Sequence, residues 1–276
     1  MRIMLYRHLW GVDEPWETVF PKIKENGYHG IETHLLPSED ERRRFGELLR
    51  LSDFRFIAMI FTAGKTVDEH LSSFEKQIAE TLPFEPTLIN CHSGVDAWSE
   101  EQSSRFFEGA LEIESKHGVS IAHETHRGRI LFNPWITASL LDRFDELKLC
   151  CDFSHWVCVC ERLIDDQTEI IKQCADRAIH LHARVGYDEG PQVPDPRAPE
   201  YKKHLEAHEQ WWNMIWAAQK RRGLAVTSLT PEFGPPPYLQ TLTYTNMPVA
   251  NLWDICNWQA KRQSERFAAK FGVENM

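Results

Sequence analysis

Short apolar runs alternate with longer amphipathic stretches along the whole chain. The runs at 3–6, 30–34, 54–61, 87–91, 119–124, 148–152, 178–182 and 225–232 are brief. Several carry β-branched or aromatic residues, as buried parallel strands do. Between them the spacing predicts helices over 14–26, 39–51, 66–81, 99–117, 134–145, 165–175 and 198–222. The helix at 99–117 has a readable start, Ser99 followed by Glu100, Glu101 and Gln102, and a stop at Gly118. It places Phe106, Phe107, Ala110, Leu111 and Ile113 at helical spacing. In 198–222, Tyr201, Leu205, Trp212, Ile215 and Trp216 share one side, and Gly223 follows as a C-terminal stop.

Eight strands alternating with helices define a parallel α/β architecture. An open doubly wound sheet is the alternative, but it usually shows a Gly-rich loop after its first strand. The stretch here reads LWGVDE. A length of 276 residues fits one closed barrel, which typically takes about 250. The expectation is therefore a (β/α)8 TIM barrel, one domain over 1–276, with a helical tail from about 248.

Composition narrows the function classes. A formal net charge of −10 works against binding a phosphate backbone, so nucleic acid is disfavoured. No run approaches the roughly 18 apolar residues of a membrane helix, and no signal peptide is expected at the N-terminus. Seven cysteines, an odd number, fit a reducing, cytoplasmic compartment with free thiols. Cys150, Cys151, Cys158 and Cys160 lack the paired spacing of structural zinc sites and read as buried and inert.

In such barrels the active site sits at the C-terminal ends of the strands. Those ends carry Glu32 and His34, His92, then His123, Glu124, His126, Arg127 and Arg129, then Asp152 and His155, then His180, His182 and Arg184, then Glu232. Taken singly, each reads as an ordinary surface-loop residue. Together they would crowd carboxylates onto one rim, where they repel unless protonated or gathered round a cation. A metal accounts for the whole set.

The opening GYHGIE of strand 2, the glutamate ending strand 5, the D-x-x-H at 152–155, the H-x-H of strand 7 and the P-E of strand 8 occur in a telling order. In this the chain resembles the xylose isomerase-like barrel superfamily. More narrowly, it resembles the sugar phosphate isomerase/epimerase group, which includes ketose 3-epimerases, inosose dehydratases and endonuclease IV nucleases. The resemblance implies Glu124, Asp152, His182 and Glu232 as ligands of one divalent metal. His155 would orient substrate or a ligand. His180 and His182 share a strand face, and the family's ligand is the one nearer the strand end, which favours His182.

Three carboxylates and one imidazole make an oxygen-rich site suited to Mn²⁺, Mg²⁺ or Co²⁺, with Zn²⁺ as a further option. The expected activity is isomerisation or epimerisation of a keto-sugar or related polyol. Glu124 and Glu232 would move protons next to a carbonyl, with a metal-stabilised enediolate between. The alternatives are a lyase of the inosose dehydratase type, a nuclease of the endonuclease IV type, or a barrel that binds sugar without turnover.

The small carbohydrate substrate would meet His155, His180, His92, Arg184, Trp10 and His126. His8 and His34 are further hydroxyl partners. Trp156, Phe233 and Tyr238 join Trp10 as candidate apolar walls. Arg127, Arg129 and Arg184 are candidates for a phosphate or carboxylate. The Pro- and Gly-containing loop at 183–199 reads as a lid or subunit contact. The resemblance is compatible with a dimer or tetramer.

Overall fold

In the computed structural model, which describes residues 1–35 and 38–272, the eight expected strands close into a parallel barrel in the order β1 to β8. They are β1 (Arg2–His8), β2 (Gly30–His34), β3 (Arg55–Phe61), β4 (Leu88–His92), β5 (Ile121–Glu124), β6 (Leu149–Cys151), β7 (Ala178–His182) and β8 (Val226–Thr230). The ring shuts where Arg2 to Leu5 of β1 run beside Val226 to Leu229 of β8. Closure leaves no unpaired sheet edge.

The outer layer is formed by α1 (Trp16–Glu25), α2 (Glu39–Leu51), α3 (Val67–Thr81), α4 (Glu100–His117), α5 (Pro134–Arg143), α6 (Ser154–Cys160), α7 (Thr168–Arg177) and α8 (Lys202–Arg221). The start of α4 is the capping box its sequence announces: Gln102 N donates to Ser99 Oγ, and Ser99 N donates to the Gln102 side chain. Its stop, Gly118, has φ +64°, which a glycine adopts without steric cost.

The tail is α9 (Leu252–Phe271), which lies against β1. The Glu209 carboxylate on α8 accepts from Arg262 and Gln263 of α9, and Trp216 meets Phe267 edge-on at 5.4 Å. The last four residues of the expected tail lie outside the described ones.

Two boundaries differ from expectation in ways that shape the site. β1 runs on to His8, which delivers that imidazole to the barrel mouth. After β6, seven residues that lay outside the expected strands and helices form α6, a short helix that turns His155 back over Asp152. β6 itself is only Leu149–Cys151 and shifts register against β7 between Leu149 and Cys150. Such irregularities re-aim side chains at strand ends.

All seven cysteines are free, and Cys91, Cys150, Cys151, Cys174 and Cys256 are buried. Among the described residues, no helix is long and apolar enough to cross a membrane.

Candidate metal centre

Period-two alternation along the strands turns every second side chain into the barrel. At the C-terminal mouth this brings together Glu124 from the end of β5, Asp152 just past β6, His182 from the end of β7 and Glu232 just past β8. Each offers one ligand-type atom, and those four atoms all lie within 4.8 Å of one another. Glu124, Asp152 and His182 are fully buried, and Glu232 is 3% exposed.

The orientation of these groups is informative. His182 Nε2 lies 2.9 Å from Glu32 Oε1, so that nitrogen carries the proton. Nδ1 is left facing the carboxylates, 2.8 Å from Glu232 Oε2 and 3.6 Å from Glu124 Oε1. Among the described residues, neither His182 Nδ1 nor Glu124 Oε1 has a hydrogen-bond partner, although both are buried. Buried polar atoms normally find partners. Two unsatisfied lone-pair atoms facing one another fit a cation between them.

Charge tells the same story. Burial and the neighbouring Glu232 and Glu124 push the Asp152 carboxyl above its usual range, and Arg184 offsets this only in part. Burial opposes protonation of His182, yet Cys150 and the carboxylates of Glu232, Glu32 and Glu124 outweigh it and raise the imidazole well above its ordinary value. Both sites draw positive charge, which a divalent ion would supply in place of protons. The donor set fits such an ion.

Around the four sit residues that hold them. Asn90 Nδ2 donates to Glu124 Oε2 at 2.7 Å, and His92 Nε2 lies 2.9 Å from the same oxygen. Ser154 donates its backbone N–H (3.0 Å) and its hydroxyl (2.5 Å) to Asp152 Oδ1. Arg184, 1% exposed, reaches Asp152 Oδ2 at 2.5 Å, Glu232 Oε2 at 3.0 Å and His155 Nε2 at 2.8 Å.

A cavity of about 360 Å³ opens above this floor. Trp10, Met59, Phe61 and Tyr238 make its apolar walls. His8, His34, His92 and His126 line it with imidazoles, and Arg184 and Glu232 reach it from below. Burial lowers His8 to about 4 and His126 to about 3, so both are neutral hydrogen-bonding groups near pH 7. Gly234 permits this wall: a Cβ there would lie 2.2 Å from the Trp10 ring.

Several expected contacts fall elsewhere. His180 is buried below the cavity, its ring nitrogens taken by Ser228 (2.7 Å) and Glu32 (3.1 Å). His155 is buried behind Arg184 rather than lining the cavity. Trp156 and Phe233 are fully buried, and the Trp156 indole donates to Leu131 O. Arg129 spends its guanidinium on the carbonyls of Thr62 and Gly94, while Arg127 stacks over Tyr238 at 5.0 Å.

The stretch at 183–199 is not built as a loose lid. Ala183, Arg184, Val185, Gln192 and Val193 are buried, and Gln192 exchanges hydrogen bonds with the Gly234 backbone. Three residues escaped the sequence reading or were left without a role: Glu32, Asn90 and the wall residue Met59. The inward period of GIETH was the available signal for Glu32.

The fold has known counterparts. The chain belongs to the xylose isomerase-like TIM barrel family, whose sequence profile matches residues 20–199. Among solved structures, a probable 3-DHS dehydratase, AsbF, from Bacillus anthracis superposes with a TM-score of 0.64 at 14% identity, covering 95% of this chain and 99% of that one. A xylose isomerase-like barrel protein from Mycobacterium smegmatis in complex with magnesium gives 0.62 at 11% identity, covering 96% and 97%. Endonuclease IV from Thermus thermophilus gives 0.56 at 12% identity, covering 98% and 100%. At these identities the likeness is one of fold. No curated protein sequence matches significantly.

Proposed function

We propose that the protein is a divalent-metal-dependent isomerase or epimerase of a keto-sugar or related polyol. The observation that carries this reading is the convergence of Glu124, Asp152, His182 and Glu232 beneath the cavity, with His182 Nδ1 and Glu124 Oε1 unsatisfied. These four would hold Mn²⁺, Mg²⁺ or Co²⁺, with Zn²⁺ a further option for the same donors. When bound, the ion polarises a substrate carbonyl and so acidifies the neighbouring C–H.

The chain's own groups divide the remaining work. Glu232 reaches the cavity and is brought down to about 2, because His182 and Arg184 outweigh the opposing effect of burial. It is therefore an ionised carboxylate placed to take a proton from substrate carbon. Glu124 lies deeper, behind His92, and serves as the second proton-moving carboxylate. Return of a proton to the opposite face inverts a centre, and return to the adjacent carbon isomerises the sugar.

Neutral His8 and His126 suit hydroxyl groups, which need partners that both donate and accept, and His92 lines the same cavity. Trp10 and Tyr238 pack edge to face at 4.9 Å and offer flat surface to sugar C–H groups. The cavity is at the small end of ligand sites, about 300–1,000 Å³, which favours a small molecule over a nucleic-acid strand.

One barrel of the same fold is a 3-keto-D-glucoside 4-epimerase, YcjR, of E. coli (TM-score 0.51, 11% identity, covering 83% of this chain and 90% of that one). The test is a keto-sugar panel incubated with metal-loaded protein in heavy water. The reading expects deuterium next to the carbonyl without a change in carbon skeleton. A product lighter by one water would make the protein a lyase, and binding without exchange would make it a non-catalytic barrel.

A further inference from the structure

Glu32 sits in the middle of the barrel, fully buried, and among the described residues its hydrogen-bond partners include no lysine or arginine. A lone carboxylate so placed is costly unless several donors satisfy it. Four side chains do so. Oε1 faces His182 Nε2 at 2.9 Å and Asn90 Nδ2 at 3.4 Å. Oε2 faces His180 Nε2 at 3.1 Å and accepts from the Thr230 hydroxyl. The His180 ring is itself turned by Ser228, whose hydroxyl lies 2.7 Å from Nδ1, which leaves Nε2–H for Glu32.

We propose that Glu32 is a positioning residue that locks His182 as the Nε2–H tautomer and so aims the Nδ1 lone pair at the cation. This rests on the reading of the Glu124–Asp152–His182–Glu232 cluster as a divalent-metal site. An ionised carboxylate cannot donate, so any imidazole nitrogen bonded to it must carry a proton. The other nitrogen of a neutral ring is then bare, and in His182 that nitrogen is the one without a hydrogen-bond partner. Carboxylates that grip the far nitrogen of a metal-binding histidine fix its tautomer and raise its basicity.

The same anchor spans three other elements. Asn90 of β4 bridges Glu32 and Glu124, and Thr230 stands two residues before Glu232. Glu32 therefore holds His182 directly and Glu124 through Asn90, and pins the end of β8 two residues before Glu232.

The test compares metal-depleted wild type with Glu32→Gln. The amide keeps the shape but presents one acceptor and one donor, so it cannot accept from His180 and His182 alike. Titration with Mn²⁺ is expected to show affinity about 10–100-fold weaker in Glu32→Gln. A folded Glu32→Gln protein with a Kd within twofold of wild type overturns the inference. Nitrogen-15 NMR of wild type loaded with diamagnetic Zn²⁺ reads which His182 nitrogen carries the proton, and so decides the matter even where the variant does not fold. An Nε2–H ring supports the lock, whereas an Nδ1–H ring refutes it. Wild-type protein that takes up no Mn²⁺ overturns the metal-site reading itself, a result distinct from equal affinities in the two proteins.

Discussion

Replacing Arg184 by methionine tests how the site balances its charge. The guanidinium is 1% exposed and bridges two buried carboxylates, Asp152 at 2.5 Å and Glu232 at 3.0 Å. Removing one partner of a buried ion pair costs about 3–5 kcal/mol, because the other charge is left uncompensated. Unfolding entropy of about 2.1 cal/mol/K per residue, over 276 residues, comes to about 0.6 kcal/mol/K. Metal-free Arg184→Met should therefore melt about 5–9 °C below wild type.

Divalent metal should narrow that gap. Asp152 and Glu232 are proposed ligands, so a bound ion compensates the same two carboxylates that Arg184 serves in the metal-free protein. Metal at 100 times its Kd stabilises by about 2.7 kcal/mol. The variant, with one positive charge fewer beside the site, should bind the ion more tightly and gain more than wild type does. Calorimetric melting of both proteins in EDTA and in Mn²⁺ measures this. An unchanged melting point in EDTA would show that Arg184 carries no such load. A deficit equally large with and without Mn²⁺ would refute the shared-carboxylate reasoning.

Other outcomes follow from neighbouring features. Asp152→Asn and Glu232→Gln should each lose the single equivalent of metal held by wild type, measured by elemental analysis after dialysis; full occupancy in both would reject the ligand set. Gly234→Ala should raise KM several-fold while metal content stays unchanged, because the new Cβ displaces the Trp10 wall; an unaltered KM would remove that wall from substrate binding.

Acid should destabilise the metal-free fold early. Burial lowers His8 to about 4 and both His126 and His208 to about 3, against an unfolded value of about 6.5. The unfolded chain then binds more protons, so the stability from keeping these rings neutral is present above about pH 6.5 and is lost as pH falls toward 4 and 3. Urea unfolding at pH 7, 6 and 5 should show that decline, and constant stability across the range would contradict it.

Much of this was legible in the sequence, for identifiable reasons. The eight strands announced themselves because parallel strands buried on both faces read as compact apolar runs. Glu124, Asp152 and Glu232 stood out because a carboxylate directly follows or ends such a run. Glu32 and Asn90 lie within their strands, where one polar residue is indistinguishable from a satisfied core residue. Their partners are distant in sequence: His180 and His182 lie 148 and 150 positions from Glu32.

Arg184 was visible as a charge, but its engagement by two carboxylates depends on three strands meeting. The helix α6 was hidden by composition. Its seven residues, SHWVCVC, contain no strong helix former, and tertiary packing of Trp156 and Val157 in the core overrides propensity.

The central claim is that one divalent ion joins Glu124, Asp152, His182 and Glu232. Anomalous diffraction at the manganese edge, from crystals soaked in Mn²⁺, tests it most directly. The account predicts one strong peak within coordination distance of all four side chains, with His182 bound through Nδ1. A peak elsewhere, or none at saturating Mn²⁺, would contradict it.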